Sequence, residues 1–255
     1  MTDEAGMLDG KVALVTGAGQ GVGQGIAFSL ARHGAQVAVA GRTLSKVEET
    51  CKQIEARGGE ALAVHADVSE VADLERMLAE TLGRFGGLQI LVNNAHQVPL
   101  GSLFDVTDAV FEAGWQTGPL ATFRLMKLCH PHLAGDGCIV NLASTSAMRW
   151  DAANYGAYAA TKEAIRSLTR AAASEWGPDG IRTNVILPIA ASPGLATWIE
   201  ERPEESAAFL ATIPMRRAGD CEQDIGEVVA HLCSDHARYV SGQSIAIDGG
   251  QAFMA

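Results

Sequence analysis

Lys11-Val-Ala-Leu-Val-Thr-Gly-Ala-Gly-Gln-Gly-Val-Gly-Gln-Gly-Ile-Ala-Phe-Ser-Leu-Ala31 is the stretch from which the rest of the chain can be placed. Val12 to Val15 is a short unbroken apolar run, as expected of a strand buried on both faces of a parallel sheet. It stops at Thr16, and glycine then recurs at Gly17, Gly19, Gly21 and Gly23. Val22, Ile26, Ala27 and Leu30 follow at helical spacing, with Gly34 as a C-terminal stop. Strand, glycine turn and helix together aim backbone N–H groups and a helix N-terminus at a pyrophosphate.

The glycines do not fall at the first, third and sixth places of the general dinucleotide fingerprint. They read Thr-Gly-x-x-x-Gly-x-Gly at Thr16, Gly17, Gly21 and Gly23, which resembles the cofactor loop of the short-chain dehydrogenase/reductase family. That resemblance makes Gly17, Gly21, Val22 and Gly23 candidate cofactor contacts.

A chain of 255 residues, 47% hydrophobic and 19% charged, fits one α/β domain over residues 1–255 with a sizeable core. A net charge of −11 argues against a nucleic-acid partner, since phosphate binding needs a basic face. No apolar run is long enough to span a bilayer, and the start lacks the features of a signal peptide, so no membrane partner is expected. Cys51, Cys129, Cys138, Cys221 and Cys233 form no Cys-x-x-Cys pair and read as reduced thiols of a cytoplasmic protein.

Further strands are expected at Gln36–Ala40, Ala61–Val64, Ile90–Val92, Cys138–Leu142, Ile181–Pro188 and Ser244–Ile247, separated by amphipathic helices. The fold class is therefore α/β, a Rossmann-type doubly wound parallel sheet with helices on both faces in a single domain. Thr43 or Ser45 can cap the second helix, and Ser45-x-x-Glu48 fits a capping box. Val110 to Leu133 reads as largely helical but interrupted at Gly118-Pro119. The segment 190–212, with Trp198 and Phe209, reads as a lid over the substrate.

Gly41 stands at the strand tip where an acid would accept from the ribose 2′-hydroxyl of NAD, and Arg42 can pair with the 2′-phosphate of NADP. NADP(H) is thus the expected cofactor, with NAD the alternative. By resemblance, Asp67 and Val68 meet the adenine, and Asn94 and Ala95 of Asn93-Asn94-Ala95-His96 pass under the cofactor. Pro188 and Ile189 match the family's Pro-Gly, with Ile189 a departure. His96 replaces a glycine, and an imidazole there is expected to meet the nicotinamide side of the cleft and titrate near neutrality, or else to be a packed or solvent-facing ring.

Tyr158-Ala-Ala-Thr-Lys162 places two polar side chains one helical turn apart, 14 residues after Ser144. The resemblance makes Ser144, Tyr158 and Lys162 the catalytic residues, with Tyr158 and Lys162 also touching the cofactor. It implies reversible hydride transfer between nicotinamide and a small-molecule carbonyl or alcohol. Tyr158 would exchange the proton, and Lys162 would lower a phenol pKa of about 10. No metal is required.

The family commonly forms homotetramers or homodimers through the helices near 110–133 and 155–176. The family's Asn in the long helix falls on Gly118. Either Gly118-Pro119 replaces it by backbone means, Pro119 leaving the Trp115 carbonyl free for a relay water, or Pro119 starts the second half of a broken helix and the relay is lost. Two other classes fit less well: a cofactor-binding protein without turnover, and a methyltransferase with a similar glycine loop.

Overall fold

The computed structural model describes residues 6–148 and 154–252. Seven parallel strands form one sheet: β1 (Val12–Thr16), β2 (Gln36–Gly41), β3 (Glu60–His65), β4 (Ile90–Asn93), β5 (Gly137–Leu142), β6 (Ile181–Pro188) and β7 (Ser244–Ile247). Their order across the sheet is β3-β2-β1-β4-β5-β6-β7. Direction reverses between β1 and β4, which pair from Ala13↔Ile90 to Val15↔Val92. A crevice opens beyond the carboxyl ends of strands at such a switch point.

The helices are α1 (Gly21–Arg32), α2 (Leu44–Ala56), α3 (Val71–Phe85), α4 (Asp108–Trp115), α5 (Ala121–Leu133), α6 (Gly156–Trp176), α7 (Pro193–Glu201), α8 (Pro203–Ala211) and α9 (Glu227–Cys233). Side chains of β1 alternate between two cores. Ala13 and Val15 pack with Ile26, Leu30 and Val229 on one face. Val12 and Leu14 pack with Leu74, Met77, Leu125 and Met126 on the other. Burial on both faces is why the strand reads as continuously apolar.

Two local expectations change. Thr43 is the N-cap of α2 but makes no side-chain capping bond, and Ser45 lies inside the helix, so no capping box forms. The segment read as a lid is built from the pair α7 and α8, joined by a T-shaped contact of Trp198 on Phe209 at 5.6 Å. Gly118-Pro119 does not break the helix. It lies in a π-helical turn, Gln116–Leu120, that carries α4 directly into α5. Hydrogen bonding there slips to the residue five places on, as in Ala121 N–H to the Gln116 carbonyl. The Trp115 carbonyl thereby recovers a donor, and the orphan oxygen expected from Pro119 is not formed.

Candidate active site

Thr16 joins the ends of β1 and β4. Its hydroxyl donates to the Val92 carbonyl at 3.3 Å and accepts from the N–H groups of Asn94 at 3.0 Å and Ala95 at 3.1 Å. Asn94 Nδ2 donates in turn to the carbonyls of Thr16 at 2.8 Å and Gly17 at 3.0 Å. This lattice holds the glycine turn against the β4 exit. Gly17 has φ +65°, and a Cβ there would fall 2.8 Å from Asn94 Nδ2 and 2.9 Å from the Ala95 Cα. Only glycine fits both the conformation and the space.

A cleft of about 450 Å³ runs along this edge. Gly17, Gly21, Val22, Arg42, Asp67, Val68, Asn94 and Ala95, all singled out in the sequence, line it. Gly23 does not: it lets α1 approach Asn94 and the Gly17 carbonyl, where a Cβ would fall 2.6 Å from that oxygen. Pro188 and Ile189 do not line it either. Ile189 is engaged as an edge residue, its N–H on the Ile247 carbonyl and its carbonyl taking the Gly219 N–H, both at 3.0 Å. The lining on that side comes from Ser192, Pro193 and Gly194 at the start of α7, with Pro193 Cδ 3.3 Å from where a Gly21 Cβ would lie.

The N-terminus of α1 has no side-chain cap and no acidic residue in its first turn. Its free N–H groups and positive dipole end suit an anion. At the far end of the cleft Arg42 stands 3.8 Å from the Asp67 carboxylate. The other Asp67 oxygen accepts from Ser69 N–H at 2.9 Å and Ser69 Oγ at 2.7 Å. Lys46, not singled out in the sequence, is a second cation in this lining and bonds the Gln20 side-chain oxygen. It lies in the first turn of α2, four residues after Arg42, which itself precedes the helix.

Ser144 leaves β5 and caps a short 3₁₀ turn, its Oγ accepting from Ser146 N–H at 3.2 Å. Tyr158 and Lys162 share one face of α6, with Lys162 Nζ 5.5 Å from the centre of the Tyr158 ring. Burial pushes the phenol up to about 12; the Ser144 hydroxyl works against that shift, and Tyr155 adds to it. The expected lowering by Lys162 is therefore reversed, because desolvation penalises phenolate. Lys162, donating to the Leu142 carbonyl at 2.7 Å, is itself pushed down to about 7 by burial.

His96 joins the two halves: it lines the cleft and stacks on Tyr158 with centroids 5.5 Å apart and planes at 21°. Burial, and after it the Lys162 charge, lower its pKa to about 3, against the Gly114 carbonyl contact that raises it. It does not titrate near neutrality.

A family model described as enoyl-(acyl carrier protein) reductase matches residues 17–252. The chain belongs to the short-chain dehydrogenase/reductase family. It is 35% identical over 254 residues to a 12α-hydroxysteroid dehydrogenase of Clostridium sp., covering 96% of this chain and 98% of that protein. A solved 7α-hydroxysteroid dehydrogenase, complexed with NADH and 7-oxo glycochenodeoxycholic acid, superposes with a TM-score of 0.91 at 32% identity. The match covers 99% of this chain and 98% of that one. A structure from Beutenbergia cavernae with bound NADP gives 0.87 at 35% identity, over 96% and 97% of the two chains. This family member is an NAD(P)-dependent oxidoreductase acting on alcohol and carbonyl groups, which sets aside the methyltransferase reading. Among the described residues no helix is long and apolar enough to cross a membrane.

Proposed function

We propose that this oxidoreductase prefers NADP(H) and reduces an apolar, ring-bearing carbonyl compound, with Ser144, Tyr158 and Lys162 as its catalytic residues. The observation that carries the reading is the meeting of two features at one edge of the sheet. The glycine cradle of Gly17 and Gly21 shares its cleft with His96, whose ring stacks on Tyr158 beside the buried Lys162, with Ser144 bonded to the Tyr158 phenol.

The cradle fits a dinucleotide, since a Cβ would fill the space at Gly17 and the first turn of α1 presents uncapped N–H groups. Gly17, Gly21, Val22, Asn94 and Ala95 would hold its middle, and Asp67 and Val68 its adenine end. Arg42 and Lys46 would take a 2′-phosphate. When bound, the nicotinamide supplies or accepts the hydride.

Ser144 donates a hydrogen bond to the substrate oxygen and polarises it. Tyr158, kept protonated by its burial, gives its phenolic proton to that oxygen as it becomes an alcohol. Lys162, balanced near neutrality, returns a proton toward the phenol. A site whose phenol holds its proton is set for reduction.

Around the entrance, Val98, Leu100, Leu103 and Phe104 are exposed, the last two by 78% and 96%. Leu103 lies against Gly156 at the start of α6, next to Tyr155 and Tyr158. An apolar wall of this kind suits a hydrophobic ring system, and α7 and α8 would close over it as the lid. Exposed Trp115 and Phe123 on the α4–α5 and α6 side favour a homodimer or homotetramer. Five free thiols favour a reducing, cytoplasmic location.

The test is a panel of steroidal, polycyclic and short-chain ketones and alcohols assayed with NADPH and NADH. Turnover of cyclic ketones with NADPH is expected. Binding of NADPH without turnover of any ketone or alcohol in the panel would favour a cofactor-binding protein instead.

A further inference from the structure

Two places where the chain departs from its family's pattern, His96 and Gly118, are in contact. A Cβ built on Gly118 falls 2.6 Å from His96 Nε2 and 2.8 Å from its Cδ2. No side chain can stand at 118 while the imidazole is in place. Gly114, one turn earlier, meets Pro99 in the same way, its Cβ position 2.6 Å from Pro99 Cγ. Gln97 N–H donates to Thr117 Oγ1 at 3.0 Å. Residues 96–99 therefore lie in a trough floored by glycines at i and i+4.

The orientation of the ring fixes its proton. His96 Nε2 is 3.0 Å from the Gly114 carbonyl, which can only accept, so Nε2 carries the hydrogen. A neutral imidazole then keeps a lone pair on Nδ1. That atom is buried and has no partner among the described residues. An unpaired buried acceptor is costly, so the position calls for a donor.

The charge acting on this ring is that of Lys162, from α6. Tyr158, also from α6, stacks on it, and Thr161 Oγ1 lies 3.5 Å from Nε2. The α4–α5 side presents the Gly114 carbonyl and the Thr117 hydroxyl. Lys162 has three N–H bonds, and the Leu142 carbonyl takes one of them.

We propose that His96 and Gly118 are one coupled exchange: the imidazole takes the volume given up at position 118, and its Nδ1 accepts a hydrogen bond from a water that the Lys162 ammonium holds. His96 is then a positioning residue for the Tyr158–Lys162 pair and stays neutral throughout. The proposal rests on the catalytic reading of those two residues given above, but its test needs no turnover.

Three measurements on the full chain decide it. Gly118→Asn alone lowers the melting temperature by roughly 5 °C or more, and His96→Gly in the same chain restores most of it. Imidazole nitrogen NMR, with His96 assigned through His96→Gln, shows hydrogen on Nε2 and none on Nδ1. In protein carrying ¹³C-labelled lysine, His96→Leu lowers the Lys162 titration midpoint by about one unit, because the ammonium loses an acceptor. His96→Gln restores it, its amide serving the Gly114 carbonyl and its oxygen accepting. Additive melting shifts, a hydrogen on Nδ1, or an unmoved Lys162 midpoint in His96→Leu would each overturn the proposal. Turnover retained by Tyr158→Phe would instead overturn the catalytic reading alone.

Discussion

Lys162 Nζ donates to the Leu142 carbonyl at 2.7 Å, which pins a buried ammonium to the end of β5. Burial pushes this lysine down from an ordinary 10.5 to about 7. Between those values the unfolded chain binds more protons, so stability rises with pH across the window and is lowest below it. Urea denaturation of the parent should show a gain of up to about 4 kcal/mol from pH 7 toward 10. Lys162→Met should be more stable than the parent at pH 7 and show a flatter profile. A profile that is flat in both would contradict the burial of a titrating Lys162.

Tyr158→Phe removes the proposed proton donor and keeps the ring that stacks on His96. Turnover should fall by about 10²–10⁴-fold, while NADPH affinity, read by fluorescence, stays within a factor of about three. Ultraviolet titration of the parent should place one of its three tyrosines near pH 12.

Arg42 is 61% exposed, and its contact with Asp67 at 3.8 Å is of the kind worth about 0–1 kcal/mol. The guanidinium can therefore leave Asp67 for a phosphate at little cost. Arg42→Ala should weaken NADPH binding about tenfold and Arg42→Ala with Lys46→Ala about a hundredfold, with NADH nearly unchanged. Equal losses for both cofactors would show that neither cation reads the 2′-phosphate.

Gly17→Ala forces a Cβ into Asn94 and a left-handed backbone onto a side chain. A loss of about 2–4 kcal/mol is expected, with weaker cofactor binding. Gly58→Ala is the control: its φ is +85° but nothing lies within 4 Å, so only the conformational cost of about 1 kcal/mol remains. Denaturant midpoints of the two variants separate the crowding from the strain.

Much of the cofactor cleft could be read from neighbours in the chain. The strand-turn-helix at 12–32 and the Tyr158–Lys162 pair depend on contacts within one or two helical turns, which local spacing encodes directly. Lys46 and Ser192–Gly194 escaped notice because each reaches the cleft from an element whose place only packing sets. The direction of the Tyr158 shift lies beyond the sequence for a similar reason. A neighbouring lysine is visible in the sequence, whereas the burial that outweighs it is not.

The sequence by itself determined the strands that make up the sheet and the glycine cradle between the first of them and its helix, since both follow from periodicity or short-range spacing. Only the tertiary structure decided that His96 and Gly118, 22 residues apart, are a single feature. Read along the chain, they are two unrelated departures. Packed together, one fills the space that the other leaves empty, because two groups cannot occupy the same volume and a buried imidazole must put its hydrogen where an acceptor already stands.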